Sequence, residues 1–335
     1  MSTATGGLVD RFGRVHTDLR ISLIDKCNLR CTYCLPAEGV PWMAKDELLT
    51  REELVAVARV AVESGITSIR LTGGEPLLRP DLEELVADLA ALEGDAGPLE
   101  LSMTTNGIGL HHRAHRLADA GLSRVNISLD TVDEETFRRM TRRPRLDAVL
   151  AGVDAALAAD LRPVKVNAVL VRGQNDHQAA DLLAWAVERG VELRFIEQMP
   201  LDAGHTWDRG DMVTRAEVME RLSERFTLTP LPGRGAAPAE RFVVDDGPAV
   251  VGLIASVTAP FCGACDRLRV TADGQLRSCL FARSETDLRG PLRAGADHAE
   301  LTALFREATL AKQPGHGIDD PGFLQPPRPM SAIGG

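Results

Sequence analysis

A chain of 335 residues that is 44% hydrophobic and 26% charged can bury one large core, or a core with a smaller appended domain. Its formal charge of −10 argues against a nucleic-acid polymer as partner, because a phosphate backbone needs a basic surface; an anionic ligand must be held by a local group of arginines. The opening MSTATGGLVDRFGRVHTDLR has no apolar run of signal-peptide length, and the most apolar helical stretch, LVAVARVAVESG, is broken by Arg59 and Glu63, so no membrane partner and a cytoplasmic location are expected.

The first strand-like run is LRISLI, followed by a loop with closely spaced cysteines and the amphipathic stretch REELVAVARVAVESG. Strand and helix then alternate: ITSIRLT and DLEELVADLAAL, LELSMTT and HHRAHRLADAG, RVNISLD and LDAVLAGVDAALAAD, VKVNAVLV and HQAADLLAWAVERG, and VELRFIEQ as the sixth strand. This alternation predicts a parallel sheet covered by helices, with RVNISL and VKVNAVLV buried as continuous apolar runs. Six repeats fall short of the eight of a closed barrel, so the expected fold is α/β, a partial (β/α)6 TIM-like barrel with its active site at the carboxyl ends of the strands. Composition changes near residue 215, where RAEVMERLSERF leads into the Pro/Gly/Ala-rich TPLPGRGAAPAERF and the short strands FVVDD and AVVGLIASV. Residues 1–215 are expected to form the barrel domain and 216–335 a C-terminal α+β extension. Within the extension, Asp273-Gly274 should turn a hairpin that returns Cys279 toward Cys262 and Cys265.

All six cysteines fall into two triplets, Cys27, Cys31, Cys34 and Cys262, Cys265, Cys279. Clustered thiols in such a chain point to metal or redox chemistry rather than to a disulfide framework. The first triplet could also align small buried thiols on a helix face, although Pro36 follows it directly. Zinc is a further reading, and C-x2-C before a hairpin resembles a zinc ribbon fragment, but a structural zinc closes with four ligands and neither triplet has an adjacent fourth Cys or His. A 4Fe–4S cluster held by three thiolates leaves one iron open to a small molecule, which makes the missing fourth ligand the functional feature. Arg267 and Arg269 alternate on one strand between the cysteines of the second triplet and share a face. With Arg20, Arg70, Lys165 and Arg194 at other strand ends they suit a triphosphate, and there is no G-x4-G-K-S/T loop to hold a nucleotide in the ordinary way.

The stretch CNLRCTYC resembles the C-x3-C-x2-C signature of radical S-adenosylmethionine (SAM) enzymes, including the aromatic Tyr33 before its last cysteine. The resemblance implies that a cluster on Cys27, Cys31 and Cys34 chelates SAM through its open iron and cleaves it to a 5′-deoxyadenosyl radical. It places SAM at Tyr33, at Gly74 of the GGEP stretch, at Ser128 and at Met199. Glycines suit that edge, since backbone groups can approach a ligand closely there.

From LRISLIDKCNLRCTYCLP through RLTGGEPLLR, TTNG, NISLD, VKVNAVL and RFIEQMP to FCGACDRLRVTADGQLRSCLF and the terminal Gly334-Gly335, nearly the whole chain resembles one family of this class, the GTP 3′,8-cyclases of molybdenum cofactor biosynthesis. The resemblance implies a second 4Fe–4S cluster on Cys262, Cys265 and Cys279 that binds guanine. It implies GTP contacts at Arg20, Arg70, Thr104, Lys165, Arg194, Arg267, the backbone of Leu268, and Arg269, with Arg267 or Arg269 also stabilising late charge. The implied reaction removes the ribose 3′ hydrogen of GTP and joins C3′ to guanine C8, and a pathway partner carries the product on to cyclic pyranopterin monophosphate. A reductant such as flavodoxin or ferredoxin, a homodimer and a Gly-Gly tail in the active site are implied as well. Two other classes remain in view: a peptide-modifying radical SAM enzyme, which usually has more C-terminal cysteines, and an iron–sulfur carrier or zinc-stabilised binding module, which leaves GGEP and the arginines without a role.

Overall fold

The computed structural model describes residues 7–94 and 97–334. Strands β1 (Asp18–Ser22) and β2 (Ser68–Thr72) are followed by a short hairpin of β3 (Glu93–Gly94) and β4 (Gly97–Pro98). Next come β5 (Glu100–Thr105), β6 (Arg124–Ser128), β7 (Lys165–Val169) and β8 (Glu192–Ile196). β1, β2, β5, β6, β7 and β8 pair in parallel in that order, giving the six-fold βα framework expected from the sequence.

Helices α1 (Arg51–Glu63), α2 (Leu82–Ala90), α3 (Ala114–Asp119), α4 (Glu134–Thr141), α5 (Leu146–Ala158) and α6 (Ala179–Arg189) accompany these strands. Local chemistry sets their limits: Thr50 caps α1 in a reciprocal box with Glu53, and Asp133 caps α4 through the amide of Thr136. The apolar stripes of the helices meet one face of the sheet. Leu19, Ile21, Ile69, Leu71, Leu101, Met103, Val125, Ile127, Val166, Ala168 and Leu193 all belong to that buried core.

The other face departs from the expectation of continuous apolar strands. Arg20, Arg70, Thr72, Thr104, Asn126, Ser128, Asn167 and Arg194, at alternate positions of the same strands, line cavities instead. Only one face of each strand packs against helices; the other borders a polar channel, so the pattern alternates with the period of two that a half-packed strand requires. A packed barrel would fill that space with branched apolar side chains.

The C-terminal part extends the same sheet at both edges. β9 (Leu228–Leu231), β10 (Glu240–Val244) and β11 (Val250–Ile254) continue from β8, with β11 parallel to it and the other two antiparallel. On the opposite edge β12 (Arg267–Val270) runs parallel to β1, followed by antiparallel β13 (Gln275–Arg277) and β14 (Thr286–Asp287), which brings the sheet to 12 strands. Asp273-Gly274 turns the hairpin between β12 and β13, as the sequence predicts, with Gly274 at φ 78°. Helices α7 (Arg215–Ser223), α8 (Arg289–Arg293), α9 (His298–Leu310) and the short α10 (Met330–Ile333) complete the chain. The buried Glu197 ties the end of β8 to this part, accepting from the amides of Arg215 at 2.9 Å, Val257 at 2.8 Å and Thr258 at 2.9 Å. Among the described residues no helix is long and apolar enough to cross a membrane.

Candidate active site

The loop between β1 and α1 carries Cys27, Cys31 and Cys34 and is anchored on the turn after β2. The amide of Gly74 donates to the carbonyl of Ile24 at 2.6 Å, and that of Glu75 to Lys26 at 2.8 Å. Asn106, after β5, donates to Asn28 Oδ1 at 2.6 Å and reaches the Cys27 sulfur at 3.9 Å. All three thiols are free, and they line a cavity of about 230 Å³ together with Tyr33, Gly73, Gly74, Ser128 and Asp130. Burial pushes the Cys31 thiol well above its ordinary value and Cys34 up to about 12, so each keeps its proton until a cation replaces it. Among the described residues no three His, Cys, Asp or Glu side chains are arranged to hold a single metal ion. The donor set fits a cluster instead, in which each soft thiolate takes its own iron.

Tyr33 is fixed by its hydroxyl, which donates to Asp130 Oδ2 at 2.7 Å, while Asp130 Oδ1 accepts from the amide of Val169 at 2.8 Å. Burial raises the Asp130 carboxyl to about 6 against these two bonds. Glu75 is wholly buried and accepts from the amide of Leu77 at 2.9 Å, the hydroxyl of Thr105 at 2.7 Å and the amide of Asn106 at 2.7 Å. It therefore joins the GGEP turn to the end of β5.

Burial outweighs those three bonds and raises Glu75 from 4.5 to about 7. The folded carboxyl keeps its proton over a range where the unfolded one has lost it, a difference of about 3 kcal/mol. That stability is complete below pH 4.5 and is lost as pH rises through about 7. Urea melts of the apo chain should lose stability between pH 5 and 8 more steeply in wild type than in Glu75→Gln; parallel curves would contradict this.

Beside the first cavity lies a second, of about 160 Å³, lined by Cys262, Cys265 and Cys279. The same lining holds Arg20, Arg70, Arg194, Arg267, Arg269 and Lys312, and no carboxylate among the described residues. Strand register explains the grouping: Arg269 faces Arg20, which faces Arg70, across β12, β1 and β2. Their own partners are weak or shared. Arg70 has the Ser102 hydroxyl at 3.4 Å, Arg20 has Asp18 at 4.0 Å, and Arg269 has the carbonyl of Gly334 at 2.5 Å. Arg194 is the better paired one, at 2.7 Å from Glu192. Burial, with repulsion from neighbouring arginines added, depresses Arg70 to about 9 and Arg20 to about 10, and the nearby Asp18 offsets this only in part. Lys165, at the start of β7, does not line the cavity but stands near Arg194 and Arg124, and burial with these charges brings it to about 8. The Cys265 thiol is raised by burial, but Arg267 and then Lys312 outweigh that and hold it at about 7. Arg267 donates to its sulfur at 3.5 Å and lies over the ring of Phe261, 4.6 Å from its centroid.

Thr104, Asn167 and Ile196 line both cavities, so the two thiol sets face one continuous interior from different sides. Leu268 is buried with its side chain in the core, leaving only its backbone toward β1. Met199 lines the arginine cavity rather than the one beside Tyr33, and packs against two small clusters, Leu201, Phe281 and Ile333, and Met212, Val257 and Ile318. Of the terminal Gly-Gly pair, Gly334 lies against Ser22 and Thr72, and Gly335 is outside the described residues. Four cavity residues lie beyond the contacts expected from the sequence: Asn126 and Asn167, whose side-chain oxygens are buried without hydrogen-bond partners, and Lys312 and His316 of the second cavity. The two asparagines were detectable as polar residues alternating with apolar ones; Lys312 and His316 carry no local signal.

A barrel with three free thiols on the loop after its first strand, backed by a glycine turn after the second, defines a radical SAM protein, and residues 21–186 match the Radical SAM superfamily pattern. The fold agrees with solved structures of low sequence identity. That of Streptococcus suis SuiB bound to S-adenosylmethionine has a TM-score of 0.58 at 13% identity, covering 88% of this chain and 69% of that one. Native anSMEcpe with bound AdoMet has a TM-score of 0.59 at 15% identity, covering 86% and 84%. Residues 191–318 match the pattern called Molybdenum Cofactor Synthesis C. GTP 3′,8-cyclase of Streptomyces coelicolor is 57% identical over 331 residues, 98% of this chain and 96% of that protein. The GTP 3′,8-cyclase of Mycolicibacterium smegmatis is 56% identical over 340 residues, 99% of this chain and 93% of that protein. The chain belongs to the GTP 3′,8-cyclase family of radical SAM enzymes.

Proposed function

We propose that the two cavities form one reaction chamber, in which SAM at the Cys27, Cys31, Cys34 cluster meets GTP held at a second 4Fe–4S cluster on Cys262, Cys265 and Cys279. The observation that carries this is the lining itself: three thiols and six cations with no carboxylate, opening onto the interior that the first thiol set faces. When bound and reduced, the cluster and SAM supply the radical that removes the ribose 3′ hydrogen, after which C3′ joins guanine C8.

The chain's own residues supply binding and exclusion of water. Tyr33, Gly74 and Ser128 hold SAM, with Tyr33 kept in place by Asp130, and Met199 meets it from the arginine cavity. Arg20, Arg70, Arg194, Arg267 and Arg269 take the triphosphate as bidentate forks, Lys165 adds charge at the start of β7, and Thr104 and the Leu268 backbone fix the nucleoside. A polyanion there relieves the repulsion that depresses Arg20 and Arg70, so ligand charge and protein charge stabilise one another. Cys262, Cys265 and Cys279 would hold a cluster whose open iron would supply a site for a ring nitrogen or oxygen of guanine. Arg267, which donates to the Cys265 sulfur, and Arg269 would balance the charge that the last electron brings. In the cell the protein works in the cytoplasm as a homodimer, with flavodoxin or ferredoxin as reductant and a pathway partner that converts the cyclic product to cyclic pyranopterin monophosphate.

Cys279→Ser tests the second cluster. After anaerobic reconstitution, iron should fall from about eight to about four per chain. GTP binding in equilibrium dialysis should be lost, while SAM cleavage without GTP persists. An unchanged iron count would remove the second cluster from the account.

A further inference from the structure

Of the residues lining the arginine cavity, Lys312 and His316 have no part in the substrate contacts above. Both belong to residues 312–316, Lys-Gln-Pro-Gly-His, which follow α9. Lys312 is 3% exposed, and its ammonium donates to the carbonyl of Arg267 at 2.6 Å and to that of Ser278 at 2.8 Å. Arg267 lies just beyond Cys265, and Ser278 immediately precedes Cys279, so one ammonium joins the two chain segments that deliver these thiols. Arg14 fastens the third. Its guanidinium donates to the carbonyl of Cys262 at 2.7 Å and to that of Gln313 at 2.7 Å, while Asp10 holds it at 2.5 Å. The His316 ring is 2.9 Å from the carbonyl of Ser256.

A buried ammonium that meets only carbonyl dipoles is costly unless negative charge stands near it. Cys265 and Cys279 are the nearby groups that could carry such charge, and both interact electrostatically with Lys312. We infer that Lys312, braced by Arg14 through the 312–316 segment, is a positioning residue for the C-terminal cluster: it fixes the Cys265 and Cys279 segments relative to each other and places a positive charge beside their thiolates. The inference rests on the reading of this triplet as a cluster site. A fixed cation favours the reduced, more negative cluster, so its removal shifts the midpoint potential to lower values.

Lys312→Met keeps the apolar stem and removes both the charge and the two bonds; Lys312→Arg keeps the charge. In reconstituted full-length protein, an iron chelator should strip the C-terminal cluster at least about tenfold faster from Lys312→Met than from wild type. An EPR-monitored redox titration should show that cluster's potential lowered, with the N-terminal cluster unmoved, and Lys312→Arg should restore the potential. Wild-type release rate and potential in Lys312→Met would overturn the inference. If Lys312→Met does not fold, Arg14→Gln takes its place: faster release of the same cluster is expected, and release at the wild-type rate overturns the brace. Iron counting separates the two readings. Wild type holding about eight irons with an unaltered Lys312→Met removes the brace alone, whereas wild type holding only about four removes the cluster and the brace together.

Discussion

Gly74→Ala is expected to lower SAM cleavage at least about a hundredfold, because a misplacement of the order of 1 Å in a reacting group costs that much. A Cβ at Gly74 would lie 2.3 Å from the carbonyl oxygens of both Asp25 and Lys26. These are backbone atoms of the loop that carries Cys27, so no side-chain rotation relieves the overlap. The amides of Gly74 and Glu75 are bonded to Ile24 and Lys26 at 2.6 and 2.8 Å, and any shift breaks that pair and moves the first thiol of the set. The loss should appear in 5′-deoxyadenosine formed with dithionite, together with lower iron at the N-terminal site and near-native circular dichroism. Gly322→Ala, where an added Cβ meets nothing within 4 Å, should behave as wild type. Gly74→Ala cleaving SAM within about threefold of wild type would show that the close approach does not matter.

Arg269→Ala is expected to retain both clusters and to lose GTP-dependent turnover by at least about a hundredfold, the scale for removing one preorganised donor from a charge-stabilising site. Arg269 is 4% exposed, and its guanidinium donates to the Gly334 carbonyl. Burial, then the neighbouring Arg20 and Arg267, push its pKa well below the ordinary value. Removing the charge therefore relieves repulsion in the apo chain, so the melting temperature should change little although the side chain is fully enclosed. This combination of preserved fold, preserved iron and lost turnover separates a substrate cation from a structural one. Unchanged product yield would take Arg269 out of the mechanism, and a collapse in stability would make it structural.

The residues that could be read in advance are those whose chemistry is local. The three thiols in CNLRCTYC, the GGEP turn and the Cys-x2-Cys-x-Arg-x-Arg run each state their type and spacing within a few residues, and the strand–helix alternation places them at strand ends. The polar interior is only half legible, because RVNIS and KVNAV alternate polar and apolar positions and a face lining a cavity gives the same local pattern as one facing solvent. Its true character emerges from register: Asn126 is flanked by Thr104 and Lys165, and Asn167 by Ser128 and Arg194, polar partners supplied by other strands. The strands β11 and β12 are legible in AVVGLIASV and RLRVTA, but their places in the sheet are not. Their parallel pairing with β8 and β1 joins segments that are distant in the chain, and no local pattern records a long-range register. Lys312 and Arg14 are the extreme case, meeting the second thiol set from opposite ends of the sequence.

The central claim is that both thiol sets serve one chamber, and anaerobic turnover tests it most directly. The protein is reconstituted with iron and sulfide, reduced, and given SAM with and without GTP, and both 5′-deoxyadenosine and GTP-derived products are followed. GTP-dependent release of 5′-deoxyadenosine together with an isomer of GTP of unchanged mass is the result predicted. SAM cleavage that proceeds at the same rate without GTP and leaves GTP intact would contradict it, showing that the arginine cavity and the SAM cavity do not act on a shared substrate.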